Sequence, residues 1–180
     1  FSHDPHHPHH SLNFLQNEDY DLSDRWKQSY GKPVHVSLAN NRIAVVTDNG
    51  DAYTWVLKGF NKSSPYKIEV PENRHVLKIE LEIFNVPGMA HIEDYLRDAD
   101  DAEAMEQEEF GLDVYVLLLN DFSVWYGYVA DNVQGGFIYS NLERLHTEAS
   151  ARDITIINPN IYVTTFADNL ETFIFSTSDF

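Results

Sequence analysis

The chain has 180 residues, 43% hydrophobic and 13% aromatic, with 29 acidic side chains against 12 basic ones and a net charge of −17. This length and apolar content suit one globular domain, while the charge disfavours nucleic acids and anionic membrane surfaces, which are bound mainly through Lys and Arg. Cysteine is absent, which excludes disulfides, thiol nucleophiles and cysteine-ligated zinc.

The first ten residues, FSHDPHHPHH, place His6, His7, His9 and His10 among prolines. Proline blocks regular structure, so residues 1–12 are predicted to be a flexible His-rich tail. Its imidazoles are weak candidates for a metal such as Ni²⁺ or Zn²⁺, and no metal or cofactor is expected in the folded part, residues 13–180. There is no basic segment followed by an apolar one, and no apolar run near the roughly 20 residues that span a bilayer. A cytoplasmic or nuclear setting is therefore expected.

The clearest local signal is residues 34–60. Val34, Val36 and Leu38 alternate with polar residues, Ile43 to Val46 form a β-branched run, and Asn49-Gly50 precedes Ala52, Tyr53, Trp55 and Val56. Two strands joined by a tight type I′ turn are predicted. From Val76 to Phe84, Leu77, Ile79, Leu81 and Ile83 alternate with Lys78, Glu80 and Glu82, the pattern of a strand with one buried and one wet face.

Residues 91–109 change character, with nine acids against the single base Arg97. A short helix or a solvated acidic loop is predicted there. Glu93, Asp94, Asp98, Asp100 and Asp101 are its candidate contacts for a partner protein. A calcium loop counted from Asp98 fails, because Ala102 and Glu103 stand where a ligand and a sharp-turn glycine are needed.

Residues 112–129 return to strand character around Asn120-Asp121, and carry Tyr126 and Tyr128. These two rings suit either cross-strand contact or a partner-binding surface. Residues 137–146 read as a strand or one helical turn. Residues 153–177 give two more strand-like runs around Asp168-Asn169.

The hairpins resemble one another. Residues 45–55 overlay residues 117–127 at an offset of 72. A third segment is placed at an offset of 120, which aligns Tyr53, Trp125 and Phe173. The 72-residue interval contains the acidic segment, and without it both intervals approach the 40–50 residues of a propeller blade.

In Thr47, Gly50, Tyr53 and Trp55, echoed by Trp125 and Gly127, the chain resembles the RCC1-like β-propeller repeat family. The resemblance covers residues 34–60, 112–129 and 153–177. Val56 replaces the glycine expected after Trp55, and no Gly-x-x-His element precedes Ile43. The resemblance implies an all-β, mainly antiparallel fold of three blade-like sheets and a role as a protein-interaction platform. Three blades are too few to close a propeller.

Nucleophile elbows, phosphate loops, dinucleotide loops and metalloprotease motifs are all absent. A non-enzymatic protein–protein interaction module, a scaffold or partner-recognition domain, is therefore expected, with a protein partner, and the net charge of −17 suits a basic one. The alternative is a compact acidic inhibitor, or immunity-type protein, that captures a basic partner.

Overall fold

Runs of β-branched and aromatic residues, interrupted by Asn, Asp, Gly and Pro, fold as three consecutive antiparallel sheets. The computed structural model describes residues 29–56, 64–87, 109–131 and 136–175, and residues 32–180 form one compact unit. The first sheet contains β1 (Pro33–Ala39), β2 (Arg42–Thr47), β3 (Ala52–Val56) and the short β4 (Tyr66–Lys67) in the order β1-β2-β3-β4. The second contains β5 (Val76–Pro87), β6 (Glu109–Leu119), β7 (Val124–Asp131) and β8 (Phe137–Tyr139) in chain order, with β9 (Glu143–Leu145) also paired to β7. The third contains β10 (Ala151–Ile157), β11 (Asn160–Thr165) and β12 (Leu170–Ile174). The stretch over 137–146 is thus two short strands.

The sheets are copies of one plan. In each, the register shifts at the start of the first strand, between Pro33 and His35, Val76 and Lys78, and Ala151 and Asp153. These bulges put one extra residue in the first strand. Val34, Leu77 and Arg152 hold that place, and all three are exposed. The bulge explains why Leu77 faces water although it continues the apolar alternation of Ile79 and Leu81.

The turn between the second and third strands also recurs, and it differs from the predicted type I′ turn. Gly50 N–H donates to the Thr47 carbonyl at 2.9 Å, and Thr47 N–H donates to the Asp51 carbonyl at 2.9 Å. This is a three-residue loop closed by a residue of positive φ. Gly50, Phe122 and Asp168 occupy that place, with φ of 80°, 64° and 61°.

The same bonds fix the repeat offsets. Thr47 corresponds to Leu119 and to Thr165, which places the third unit 118 residues from the first. The offset of 120 is therefore two residues too long. The partner of Tyr53 and Trp125 in the third sheet is Glu171, and Phe173 corresponds to Trp55 and Gly127.

The first hairpins differ in length. The paired residue just before the bulge and its partner are 14 apart in the first sheet (Pro33, Thr47) and the third (Ala151, Thr165), but 43 apart in the second (Val76, Leu119). The second hairpin thus carries 29 extra residues. Part of this length extends β5 to Pro87 and begins β6 at Glu109. The acidic segment predicted over 91–109 lies outside the described residues, apart from Glu109 in β6.

The sheets stack face to face. Each has a leading face towards the sheet before it and a trailing face towards the sheet after it. β6 is buried on both faces. Tyr115, Leu117 and Leu119 join Ile79 and Leu81 against Ala44, Val46 and Ala52 of the first sheet. Val114, Val116 and Leu118 meet Ile154, Ile156, Ile161 and Val163 of the third. Each fully buried side chain of this size contributes about 1.5–3 kcal/mol, so these two joints hold the sheets together.

Candidate interaction surface

Polar staples tie the first strands of the three sheets. The Nε2 of His35 lies 2.9 Å from the Ile79 carbonyl, which can only accept, so that nitrogen is the donor. Leu81 N–H donates to Ser37 Oγ at 3.0 Å. These side chains cover the open edge of β5, whose ladder partners lie only on its other side.

Lys78 is the hub of the next joint. Its ammonium lies 3.2 Å from Glu80 Oε1 and 2.8 Å from Asp153 Oδ1, and donates to the Ile154 carbonyl at 3.0 Å. Burial acts to lower the Lys78 pKa, but the bonds from Asp153 and Glu80 outweigh it and hold the group above the usual lysine range. Burial likewise acts to raise the Asp153 pKa, and the bonds from Lys78 and Ile154 N–H hold its carboxyl below the usual carboxylate range.

A depressed carboxyl contributes stability that is present above its unfolded pKa of about 3.9 and is lost as pH falls through the folded value. A raised ammonium contributes stability that is present below about pH 10.4 and is lost as pH rises through its folded value. Asp153→Asn is therefore expected to flatten stability against pH below about 4, measured by urea unfolding at stepped pH. An unchanged acid limb would remove Asp153 from this role.

A second polar joint is buried between the first and second sheets. Arg42, fully buried, donates through Nε to Asp113 Oδ2 at 3.0 Å, and through Nη1 to Thr54 Oγ1 at 3.2 Å and Tyr139 Oη at 3.3 Å. Its guanidinium carbon lies 4.8 Å from the Phe137 ring centroid. Tyr139 in turn stacks on Tyr66, with centroids 3.7 Å apart. Among the described residues, Nη2 finds no hydrogen-bond partner.

The best candidate for contact with another molecule is the rim formed by the recurring turns. Phe122 and Phe166, 41% and 48% exposed, meet edge to face with centroids 5.0 Å apart. Arg152 lies over Phe166 at 4.9 Å and approaches Asp168 Oδ1 at 3.5 Å. Beside them, Asp121 binds Arg74 at 2.9 Å and accepts from Ser123 N–H at 3.1 Å. Burial pushes the Asp121 carboxyl up, while the Ser123 bonds and Arg74 bring it below the usual range.

Phe122 occupies the left-handed place that the first turn gives to glycine. A bulky residue there costs roughly 1–2 kcal/mol, and such strain gathers at functional sites. The overlay at 72 already aligns Phe122 with Gly50, so an aromatic in the glycine place was the available signal. Arg152 and Phe166 carry no such signal, because an overlay at 120 sets the third unit two residues out of register.

Tyr126 and Tyr128 lie half-buried at the joint between the second and third sheets. Tyr126 donates through Oη to Glu143 Oε2 at 2.7 Å, and its ring meets Phe175 edge-on at 6.2 Å. Tyr128 N–H donates to Ser140 Oγ at 2.8 Å. Glu93, Asp94, Asp98, Asp100, Asp101, His6, His7, His9 and His10 lie outside the described residues. Among the described residues, no group of three or more His, Asp or Glu is placed to hold a metal.

Neither a protein-family model nor a curated protein sequence matches the chain. Among solved structures, human WBSCR16 superposes with a TM-score of 0.51 over 82% of this chain, at 13% identity. The sheets are blades of the β-propeller type. Yeast RCC1 (Prp20) bound to Kap60 and Prp20p from Saccharomyces cerevisiae give TM-scores of 0.48 at 8% identity, each over 79% of this chain. The chain spans about a third of the length of these structures, 34%, 32% and 33% respectively.

Proposed function

We propose that the chain is a non-enzymatic protein–protein interaction module of RCC1-like propeller type, which recognises its partner through the turn rim at Phe122, Phe166 and Arg152. The observation that carries this reading is an exposed aromatic pair, one member of which is held in a conformation that ordinarily calls for glycine. Aromatic and arginine side chains dominate binding energy at protein interfaces. The surrounding carboxylates and the net charge of −17 favour a partner segment that is apolar at its centre and basic at its margins.

The test is retention of protein partners from a native cell extract by the immobilised chain, compared with a Phe122→Asn/Phe166→Ser variant. The variant is expected to lose at least tenfold of a specifically retained partner, as removal of two interface anchors does. Its thermal unfolding should stay close to that of the unchanged chain, because both rings are at the surface and Asn tolerates positive φ. Equal retention by the two proteins would eliminate the rim as the contact.

A further inference from the structure

One ring pair in the joint between the first two blades consists of two phenols. Tyr66 on β4 and Tyr139 on β8 stack with centroids 3.7 Å apart and planes 8° from parallel. Aromatic pairs ordinarily settle with centroids roughly 4.5–7 Å apart, offset or edge-on. Phe84–Phe175, Phe122–Phe166 and Tyr126–Phe175 do so, at 4.5, 5.0 and 6.2 Å and with planes inclined by 40°, 73° and 88°. The Tyr66 and Tyr139 rings instead overlap nearly face to face, carbon against carbon at van der Waals range.

The two rings are held differently. Tyr139 is fixed from one side, where Arg42 donates to its Oη at 3.3 Å and the guanidinium carbon lies 5.6 Å from its centroid. Tyr66 belongs to a two-residue strand at the outer edge of its sheet, and can turn within the stack. Both rings are half-buried, so an electron acceptor at the surface reaches them. Burial, the Glu69 carboxylate and the Tyr139 phenol raise the Tyr66 phenol above its ordinary range. Its proton therefore leaves with the electron rather than before it, and Glu69 is the base at hand. Tyr115, a third phenol in the same joint, is 1% exposed and lacks that access.

We infer that Tyr66 and Tyr139 form a modification site, at which one-electron oxidation joins the rings as a dityrosine and staples the first blade to the second. The co-reactant is two equivalents of a one-electron oxidant, such as a peroxidase intermediate. Each phenol gives up one electron and its hydroxyl proton, which leaves two phenoxyl radicals. Their unpaired electrons spread to the carbons beside the oxygens, in orbitals perpendicular to the rings. Parallel stacking points those orbitals at each other. A carbon–carbon bond forms between the rings, and the hydrogen on each bonded carbon moves as a proton to that ring's oxygen, which restores two phenols. The chain loses two electrons and two protons in all, and each oxidant gains one electron.

The bond closes a loop from residue 66 to residue 139, so it restricts the unfolded chain as a disulfide over a long loop does. The site rests neither on the Phe122–Phe166 rim nor on a partner.

The test exposes the full chain, kept dilute, to a photo-oxidised ruthenium tris-bipyridine complex with persulfate, and maps cross-links in the monomer by peptide mass spectrometry. Of the 10 tyrosines, Tyr66 and Tyr139 are expected to give the main cross-link, two hydrogens lighter than its two peptides and absent from Tyr66→Phe. That variant keeps the ring, and thermal unfolding confirms that it folds. The same exposure in urea beyond the unfolding midpoint is expected to lower the yield roughly tenfold or more, because the proximity is gone. Treatment should raise the melting temperature of the unchanged chain and not that of Tyr66→Phe. Equal yields in the folded and unfolded chain overturn the inference. So do an absence of cross-link, native cross-links concentrated on other tyrosines, dityrosine undiminished by Tyr66→Phe, or a cross-linked chain that melts no higher.

Discussion

Asp113→Ala is expected to cost roughly 3–4 kcal/mol, towards the low end for breaking a buried pair because Asp113 keeps some contact with water. The loss comes from its partner. Arg42 has a fully buried side chain, and Asp113 Oδ2 is the anion bound to its Nε. Removing the carboxylate leaves a buried guanidinium without its anion, bonded to the neutral hydroxyls of Thr54 and Tyr139 and with no partner for Nη2 among the described residues. Water cannot replace the lost charge without opening the joint. Arg42→Met, which removes the charge and keeps much of the side-chain stem, is expected to cost less than Asp113→Ala. Urea unfolding of both variants decides the matter through the shift in midpoint at constant slope. Should Arg42→Met prove the more damaging, the ion pair is net stabilising and the desolvation argument fails.

Gly127→Val is expected to cost roughly 1–3 kcal/mol through overpacking, which lowers the melting temperature by about 2–4 °C for each kcal/mol in a chain of this size. Gly127 pairs with Tyr115 across β6 and β7. A Cβ at Gly127 would lie 2.6 Å from Tyr115 Cε2 and 2.7 Å from Cζ and Oη. Tyr115 is 1% exposed and lies within the joint between the first two blades. Burial pushes its phenol well above the ordinary range. The ring therefore has little room to move aside. Tyr115→Ala should cost less in the Gly127→Val background than in the unchanged chain, because it also relieves the clash, a non-additivity that calorimetry of the two single variants and the double variant would reveal. Strict additivity would place the damage elsewhere.

The fold was legible where local chemistry and tertiary structure agree. Alternation at Ile79 and Leu81, the β-branched run at Ile43–Val46 and the polar turns at 48–50 and 120–122 all mark strands that exist. The third unit slipped by two residues because Asp168-Asn169 imitates Asp48-Asn49. A slip of two preserves every inside–outside assignment in a strand, so the apolar pattern could not detect it. Only the turn bonds, with Asp168 rather than an asparagine in the left-handed place, establish the register.

Arg42 was hidden for a different reason. A charge at the head of an apolar run reads as a strand end in water. Its partners Asp113 and Tyr139 lie 71 and 97 residues away, beyond any local pattern. Lys78 and Glu80 were read as a wet face, yet that face forms ionic contacts with the next blade. The rim was half legible: the glycine-place aromatic at 122 was visible, whereas its pairing with Phe166 depends on how the blades stack.

The unequal hairpins also bear on how the chain reaches its fold. In the first and third blades, two residues separate the last paired positions of the opening hairpin, Ala39 from Arg42 and Ile157 from Asn160. In the second blade, 21 residues separate Pro87 from Glu109. Bringing those ends together costs about 2 kcal/mol more in chain entropy on logarithmic scaling. The middle blade supplies one wall of both apolar joints, so its neighbours cannot bury their facing sides until it has zipped. Closure of the middle hairpin is expected to limit the folding rate, which stopped-flow refolding would measure. Shortening the span between Pro87 and Glu109 is the change that would quicken assembly of all three blades.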